Sequence, residues 1–365
     1  ASDVYKRQII DDAIKKFEKE HPGVKVHYET GIRKEDYSEW LDRKILEGET
    51  PDVFMVLSDD FYKYVSLNVI SDLDNQIAND RNFKKEYFFD TVLDIGKYHE
   101  SQYALPYEVV PTLMFVNKTL LEQEGIEVPN ENWTWSTMEQ IVDQITKDKN
   151  GDGVIIIGAA YNYTWKEAVY SNGAELFDKD GKKAFFSGTK VNEAVKFVKK
   201  LNEMNGGREV TQNDFDSGNV AFMPLAFSEY RTYKTYPYKI KKYTSFQWDC
   251  TSMPAGPGGH NTSEVDALLM TIGNKSKHKE LAWEFLKMLT SDSSIQRDMD
   301  VDERGIDNRL LSDAIENGRI NPKFSKYPEA MALAENEIDD IYKNEKNIDS
   351  SLKVFQRSIT KFLNQ

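Results

Sequence analysis

Residues 103–126, YALPYEVVPTLMFVNKTLLEQEGI, carry the pattern of a strand that leads into a helix. A residue that precedes proline is pushed towards extended geometry, so Leu105 is expected to lie in extended chain. The apolar run at 113–116 is typical of a buried strand. Asn117 is a favoured N-cap residue, and Gly125 is a favoured residue where a helix ends. The stretch therefore predicts a strand, a short capped helix, and a polar, aromatic corner where the strand begins.

Apolar spacing in the first sixty residues alternates between the helical and the strand period. Helical spacing occurs within 9–17 and 40–46, and strand patterns occur at 24–28 and 52–57. Strands that alternate with helices of this length predict β-α-β units, an α/β fold class and a largely parallel sheet.

The composition limits the kind of protein that this chain can be. At 365 residues the chain is longer than a single hydrophobic core usually supports, so we expect two folding units. No stretch reaches the roughly 18 apolar residues of a membrane-spanning helix. The net charge of −14 argues against nucleic acid and anionic membranes as partners. Cys250 is the only cysteine, which excludes an intramolecular disulfide and a thiolate metal cluster.

Motifs of catalysis and metal binding are missing from the sequence. It contains no G-x-S-x-G elbow, no GxxxxGK[ST] phosphate loop, no GxGxxG turn and no HExxH pair. Residues 148–153, DKNGDG, imitate the start of an EF-hand loop, but Ala159 stands where a bidentate glutamate is required. We therefore predict a protein that is not an enzyme and that needs no cofactor and no metal. Because 61 acidic residues will always place some carboxylates close together, a glycan-processing enzyme stays as an alternative.

Short motifs in a fixed order along the chain resemble those of extracellular solute-binding protein family 1, the sugar-capturing receptors of ABC importers. Residues 103–126 are similar to a family segment in which a Pro-Tyr-acid step precedes a strand ending in Asn-Lys and a helix ending in Gly-Ile. The other matching segments lie at residues 49–54, 134–136, 151–153, 215–223, 253–259 and 282–290.

The resemblance implies a two-lobed periplasmic-binding-protein type II fold. Each lobe would have a central mixed β-sheet flanked by helices, with the ligand cleft between the lobes. The N-lobe would comprise residues 1–108 and 265–309, and the C-lobe residues 113–263 and 311–365. The chain would cross between them near 109–112, 264 and 309–310. The family's opening strand has no counterpart here, so we expect it to be missing from the N-lobe sheet, with residues 1–8 foreign to the native protein.

A sugar presents apolar C–H faces and a rim of hydroxyl groups, so its site needs aromatic platforms beside carboxylate or amide acceptors. We expect Trp165 to stack against a sugar ring and Glu108 to accept hydrogen bonds from hydroxyl groups. The predicted ligand-binding residues follow predicted strands or flank the expected crossings: Ser58, Asp59, Tyr107, Glu108, Thr112, Tyr161, Trp165, Phe227, Ser228, Tyr230, Trp248, Glu264, Asp266 and Arg309.

Several of these residues have an alternative structural role. Asp59 could cap a helix, Trp248 could serve in packing, and Arg309 could form a plain salt bridge. Glu264 and Asp266 flank a crossing at which the family usually has glycine or another small residue, so this chain departs from the pattern there.

The function that the resemblance implies is that of an extracytoplasmic solute-binding protein of an ABC transporter. It would capture a mono- or oligosaccharide by hinge closure and deliver it to the membrane permease subunits. We expect a monomer with no nucleic-acid partner, located outside the cell as a membrane-tethered lipoprotein or free in the periplasm. A binding protein for a polyamine or a peptide is the alternative within the same class.

Overall fold

The computed structural model describes residues 2–146, 157–205, 209–226, 246–291 and 308–365. The chain divides into two compact units, each made of two segments. Unit 1 comprises Ala1–Val110 and Asp266–Gly305, and unit 2 comprises Pro111–Val265 and Ile306–Gln365.

Up to and across the first unit boundary, helices and strands alternate. The elements are α1 (Ser2–Glu20), α2 (Lys34–Leu46), β1 (Val53–Leu57), α3 (Ser58–Ser66), α4 (Asp74–Asn79), a 3₁₀ turn (Lys85–Tyr87), α5 (Asp90–Ile95), β2 (Lys97–Tyr98), β3 (Ser101–Gln102) and β4 (Leu105–Asn117).

The rest of the chain is richer in helices. Its elements are α6 (Lys118–Gln123), α7 (Trp135–Ile145), β5 (Ile157–Ala160), α8 (Trp165–Ser171), α9 (Thr189–Met204), α10 (Gln212–Asp216), β6 (Val220–Ala226), β7 (Trp248–Thr251), β8 (Val265–Ile272), α11 (Lys279–Ser291), α12 (Asn308–Glu316), α13 (Tyr327–Lys343) and α14 (Ile348–Leu363).

The sheet of unit 1 places β8 between β1 and β4. β1 runs antiparallel to β8, with Leu57 opposite Leu268. Helix α1 contributes Ala13 and Phe17 to the core of the unit, where α11 contributes Trp283. The apolar spacing seen in the sequence of α1 therefore marks the face of the helix that is buried.

The predicted strand at 24–28 is wrong, because this stretch has no regular secondary structure. The backbone N–H of Val26 donates to the carboxylate of Glu18 on α1 at 2.9 Å, and that of Val24 donates to the carbonyl of His21 at 3.1 Å. Both valines still pack against the core of unit 1. The alternating apolar pattern at 24–28 therefore indicates burial of the valines and not a strand. The Glu18 side chain accepts from the backbone N–H of Val26, which would otherwise be available to pair with a neighbouring strand.

The sheet of unit 2 is mixed. β6 and β7 both run antiparallel to β4, and β5 runs parallel to β6. The expectation of a largely parallel sheet is therefore wrong for the strand pairs whose register the structure describes. The cause is that β6, β7 and β8 return against earlier strands instead of continuing the β-α-β alternation.

The helix after β4 begins as the sequence predicts. The Asn117 side-chain oxygen accepts a hydrogen bond from the backbone N–H of Leu120 at 3.0 Å, which caps α6. Gly125, just beyond the helix, has a φ of +70°, which is costly for residues that carry a Cβ atom. The cap and the stop that the sequence predicted are both confirmed.

The glycine-rich loop at 253–259 packs against the C-terminal end of α8. Asn172 is fully buried; its Oδ1 accepts from the backbone N–H of Gly258 at 2.9 Å, and its Nδ2 donates to Glu193 at 2.9 Å. A Cβ atom on Gly259 would lie 2.1 Å from a backbone oxygen of α8. The glycines are therefore required by close packing of two backbones.

Candidate functional site

In unit 1 the structure brings Ser58 and Asp266 into contact. Ser58 follows the last residue of β1 and begins α3, and Asp266 lies near the start of β8, the strand that pairs with β1. The Ser58 hydroxyl donates a hydrogen bond to the Asp266 carboxylate. Asp59 is exposed in the first turn of α3, where a carboxylate is favoured by the helix dipole, and the N-cap residue is Leu57.

Tyr107 and Glu108 lie in the part of β4 that belongs to unit 1, and both side chains are buried. Tyr107 is part of the apolar core. Glu108 is the only buried acidic residue in the part of unit 1 that the structure describes. A glutamate side chain is rarely buried unless its carboxylate is paired or hydrogen-bonded, because desolvating a carboxylate is costly.

In unit 2 a polar cluster forms around Glu264. The Lys166 ammonium lies 2.8 Å from the Glu264 Oε2, and the Asn321 amide donates to the Glu264 Oε1 at 2.9 Å. The Tyr170 hydroxyl donates to the Asn321 side-chain oxygen at 2.9 Å, and the Lys166 ammonium lies 5.6 Å from the centre of the Tyr170 ring. The side chains of Lys166 and Glu264 are 18% and 28% exposed. We call these four residues the Glu264 cluster.

Backbone hydrogen bonds fix the position of Glu264. Its carbonyl oxygen accepts from the backbone N–H of Thr112 in β4 at 3.2 Å. The neighbouring Ser263 hydroxyl donates to the Thr112 carbonyl at 2.8 Å, and the backbone N–H of Val265 donates to the Arg319 carbonyl at 2.9 Å. Thr112 and Glu264, both predicted from the sequence, are therefore neighbours in unit 2.

Glu167, beside Lys166 in α8, forms a capping box with Thr164: the Thr164 backbone N–H donates to the Glu167 carboxylate at 2.9 Å. Burial raises the pKa of Glu167 to about 7, the hydrogen bond from Thr164 opposes the rise, and the negative charge of Glu264 adds to it. The charge next to the Glu264 cluster therefore changes near neutral pH.

The aromatic residues predicted near α8 differ in exposure. Trp165 is 4% exposed, and its indole N–H donates to the Glu335 carboxylate at 2.9 Å. It contributes to the core of unit 2, and its stacking against a ligand stays a prediction. Tyr161 follows β5, is half-buried, and donates its backbone N–H to the carbonyl of Phe222 at 2.9 Å.

Two other predicted site residues of unit 2 have contacts of their own. Trp248 stacks on Phe115 with ring centres 5.0 Å apart and an angle of 6° between the rings. Arg309 is exposed and pairs with Glu131 at 3.0 Å. The structure therefore shows a packing contact for Trp248 and a salt bridge for Arg309, and leaves ligand contact of both residues a prediction. Three further predicted residues lie outside the described residues: Phe227, Ser228 and Tyr230.

Sequence reasoning missed Lys166, Tyr170 and Asn321. Lys166 directly follows the predicted Trp165, so its position in the loop-to-helix turn was a usable signal. Asn321 carried no such signal, because only the folded chain brings it to Tyr170, 151 residues away in sequence. Within the described residues no group of three or more His, Cys, Asp or Glu side chains is placed to hold a metal ion.

The whole chain can be compared with known proteins. The sequence profile of the bacterial extracellular solute-binding proteins matches residues 3–295, and the chain belongs to this family. A curated relative, a binding protein of Brucella abortus by name, is 25% identical over 290 residues, which cover 76% of this chain and 67% of the relative. No helix in the described ranges has the length and apolar character to span a membrane.

Solved structures with the same fold include sugar-binding proteins. The sugar-binding protein MalE of Xanthomonas citri has a TM-score of 0.80 at 16% identity and covers 98% of this chain and 95% of its own. An ABC substrate-binding protein of Listeria monocytogenes, solved with cycloalternan, has a TM-score of 0.76 at 19% identity and covers 98% and 96%. The cyclic α-maltosyl-1,6-maltose binding protein of Arthrobacter globiformis has a TM-score of 0.79 at 14% identity, with coverages of 98% and 96%. The predicted fold class, that of the two-lobed α/β binding proteins, is therefore confirmed.

Proposed function

We propose that this solute-binding protein captures a carbohydrate and delivers it to the membrane permease of an ABC importer. The observation that carries the proposal is the Glu264 cluster, in which a carboxylate, an ammonium group and an amide lie beside an aromatic ring. Hydroxyl groups both donate and accept hydrogen bonds, so a sugar is matched by acceptors and donors placed together. The sugar ligands named for similar structures support the same class of ligand.

Capture would proceed by hinge closure, and the ligand-bound form would be the one that the permease recognises. The chain passes from unit 1 to unit 2 within β4 and returns at the start of β8. A few residues at such crossings can absorb the change in backbone angles that closure requires. The protein would act as a monomer outside the cell, tethered as a lipoprotein or free in the periplasm.

A thermal-shift screen tests the proposed ligand class. The panel contains glucose, mannose, galactose, maltotriose and mannotriose, with spermidine and trialanine as non-sugar solutes. A ligand at 100 times its Kd stabilises the native state by about 2.7 kcal/mol, which is readily measured. We expect a rise in Tm with at least one sugar. A rise with spermidine or trialanine alone would contradict the proposal, and release of new reducing ends from the trisaccharides would indicate an enzyme instead.

A further inference from the structure

The Glu264 carboxylate has more capacity to accept hydrogen bonds than its protein partners use. Among the residues that the structure describes, its Oε2 is paired with Lys166 and its Oε1 accepts from Asn321. An ionised carboxylate offers about four lone-pair positions, two on each oxygen. The side chain is 28% exposed, so a ligand can reach it from solvent. The two partners thus fix the plane of the carboxylate and leave acceptor capacity on each oxygen.

Two neighbouring hydroxyl groups on a pyranose ring match such a carboxylate. Their oxygens are separated by about one hydrogen-bond length when they are gauche, so each can donate to a different carboxylate oxygen. This pairing depends on the orientation of both hydroxyl groups, which differs between hexoses. A carboxylate held in one plane can therefore discriminate between epimers.

Charged groups near Glu264 form ion pairs within the described part of the protein. Lys166 neutralises Glu264 at 2.8 Å, and the nearby Arg319 is paired with Glu175 at 2.9 Å. Glu167 in α8 is largely neutral below its raised pKa of about 7, and above that pH it adds negative charge that disfavours an anion. An anionic sugar would meet the carboxylate of Glu264, and a cationic sugar would compete with Lys166. The cluster thus favours a neutral ligand over both.

We propose that Glu264, oriented by Lys166 and Asn321, is the specificity-determining acceptor for two neighbouring hydroxyl groups of a neutral sugar ring. This inference rests on the proposed function, and it names the ligand class as neutral hexoses and their oligosaccharides. Lys166 and Asn321 are positioning residues that hold the carboxylate and balance its charge.

Calorimetric titrations of charge-altered hexoses test the inference. Glucose, mannose and galactose are each compared with the corresponding uronate and 2-amino-2-deoxy sugar, on the parent chain and on Glu264→Gln and Lys166→Met. Hydrogen bonds to a charged group contribute enough that losing them should weaken the Kd by about 10- to 100-fold. In Glu264→Gln the Kd for the neutral hexose should weaken by that factor, and the uronate should gain affinity relative to it, because the carboxylate that would repel the uronate is removed. In Lys166→Met the amino sugar should gain relative to the neutral hexose.

A second ion pair in unit 2 provides the control. Lys200 and Glu139 also lie 2.8 Å apart, and Glu139 is 29% exposed, close to the 28% of Glu264. Glu139→Gln and Lys200→Met should leave all sugar affinities unchanged. Glu264→Asp, which keeps the charge but withdraws the carboxylate, should weaken the neutral hexose and preserve the discrimination against the uronate. It replaces Glu264→Gln if that variant does not fold.

The outcomes separate this inference from the proposed function. If the parent binds a neutral hexose and the Glu264 variants bind it as tightly, or lose all three forms of the sugar equally, the inference is overturned and sugar capture stands. If the parent binds none of the sugars but binds spermidine or trialanine, the proposed function is overturned and the inference falls with it.

Discussion

Glu167 serves two purposes at the start of α8. Its carboxylate closes the capping box by accepting from the Thr164 backbone at 2.9 Å, and it lies within the field of Glu264. Since burial raises its pKa to about 7, the folded state holds a proton on Glu167 at pH values where the unfolded chain has released it. One residue thus links the stability of unit 2 to the charge of the candidate site.

The stability of the protein should therefore fall as the pH rises from about 5 to 7 and then level off. A carboxyl group with a raised folded-state pKa binds more protons in the folded state than in the unfolded state, so the free energy of unfolding falls as the group loses its proton. The expected fall is on the order of 2 kcal/mol, because the Glu167 side chain is only half-buried. Urea denaturation at several pH values measures this change in the free energy of unfolding. Glu167→Gln, which can keep the cap, should remove this part of the slope. Glu203→Gln, an exposed change, should leave it unaltered, and an unaltered slope in Glu167→Gln would contradict the assignment.

Glu108→Gln should weaken sugar binding by about 1.5–3 kcal/mol, because a hydrogen bond from a hydroxyl group to a charged acceptor is replaced by a neutral one. The loss should differ between hexose epimers, as it depends on hydroxyl orientation. Asp214→Asn is the matched control, since Asp214 is also a buried carboxylate but caps α10 in unit 2. Equal affinities of Glu108→Gln and the parent, by calorimetry, would remove Glu108 from the site.

Thr112 and Glu264 were predicted because they lie at the expected crossings, and the structure places them side by side. Their contact with a ligand stays a prediction. The burial of Trp165 was not predicted, and its contact with a ligand stays a prediction. An aromatic residue after a loop can be an exposed surface for a sugar ring, or it can be the first core residue of the helix that follows. Burial depends on what packs above the residue, here Phe186 and the helix that carries Glu335.

At the scale of secondary structure, the contact between α8 and the 253–259 loop depends on one side chain. Asn172 satisfies the Gly258 backbone N–H and donates to the Lys190 carbonyl at 2.9 Å, while fully buried. A buried amide of this kind ties a loop to a helix by hydrogen bonds that water cannot replace. These hydrogen bonds hold the 253–259 loop against α8 within unit 2.

Asn172→Ala should destabilise the protein by about 2–4 kcal/mol, since each buried partner left without its hydrogen bond costs about 1–3 kcal/mol. Gly259→Ala should also be destabilising, because its Cβ would lie 2.1 Å from a backbone oxygen. The exposed Asn336→Ala on α13 should change the free energy of unfolding by less than about 0.5 kcal/mol. A midpoint of urea denaturation for Asn172→Ala equal to that of Asn336→Ala would show that the loop is held by other contacts.

Local signals predicted the helix after β4 well and the segment after α1 poorly. Asn117 and Gly125 act through their own backbone, so sequence alone places that cap and that stop. Strand formation at 24–28 depends on a partner, and there the Glu18 carboxylate takes the backbone donor of Val26. Pairing between distant segments is what local patterns cannot specify.

On the scale of the whole molecule, the order of short motifs predicted the family and the fold class, although each motif alone is common. The Glu264 cluster could not be predicted in the same way. Its members come from α8, from the residue before β8 and from the segment between α12 and α13, and none of these segments signals the others.

Saturating sugar should compact the protein in solution if the two units move about the crossings in β4 and β8. Small-angle X-ray scattering with and without ligand measures the radius of gyration, and we expect a decrease on binding. Identical profiles at saturation confirmed by calorimetry would contradict hinge closure while leaving ligand capture intact.

The most direct test of the account is isothermal titration calorimetry of the chain with the sugars of the screen, alongside spermidine and trialanine. We predict that a neutral hexose or its oligosaccharide saturates one site per chain, and that neither spermidine nor trialanine gives a binding isotherm. Saturable binding of spermidine or trialanine, with no heat of binding from any sugar, would contradict the claim that this solute-binding protein captures carbohydrate.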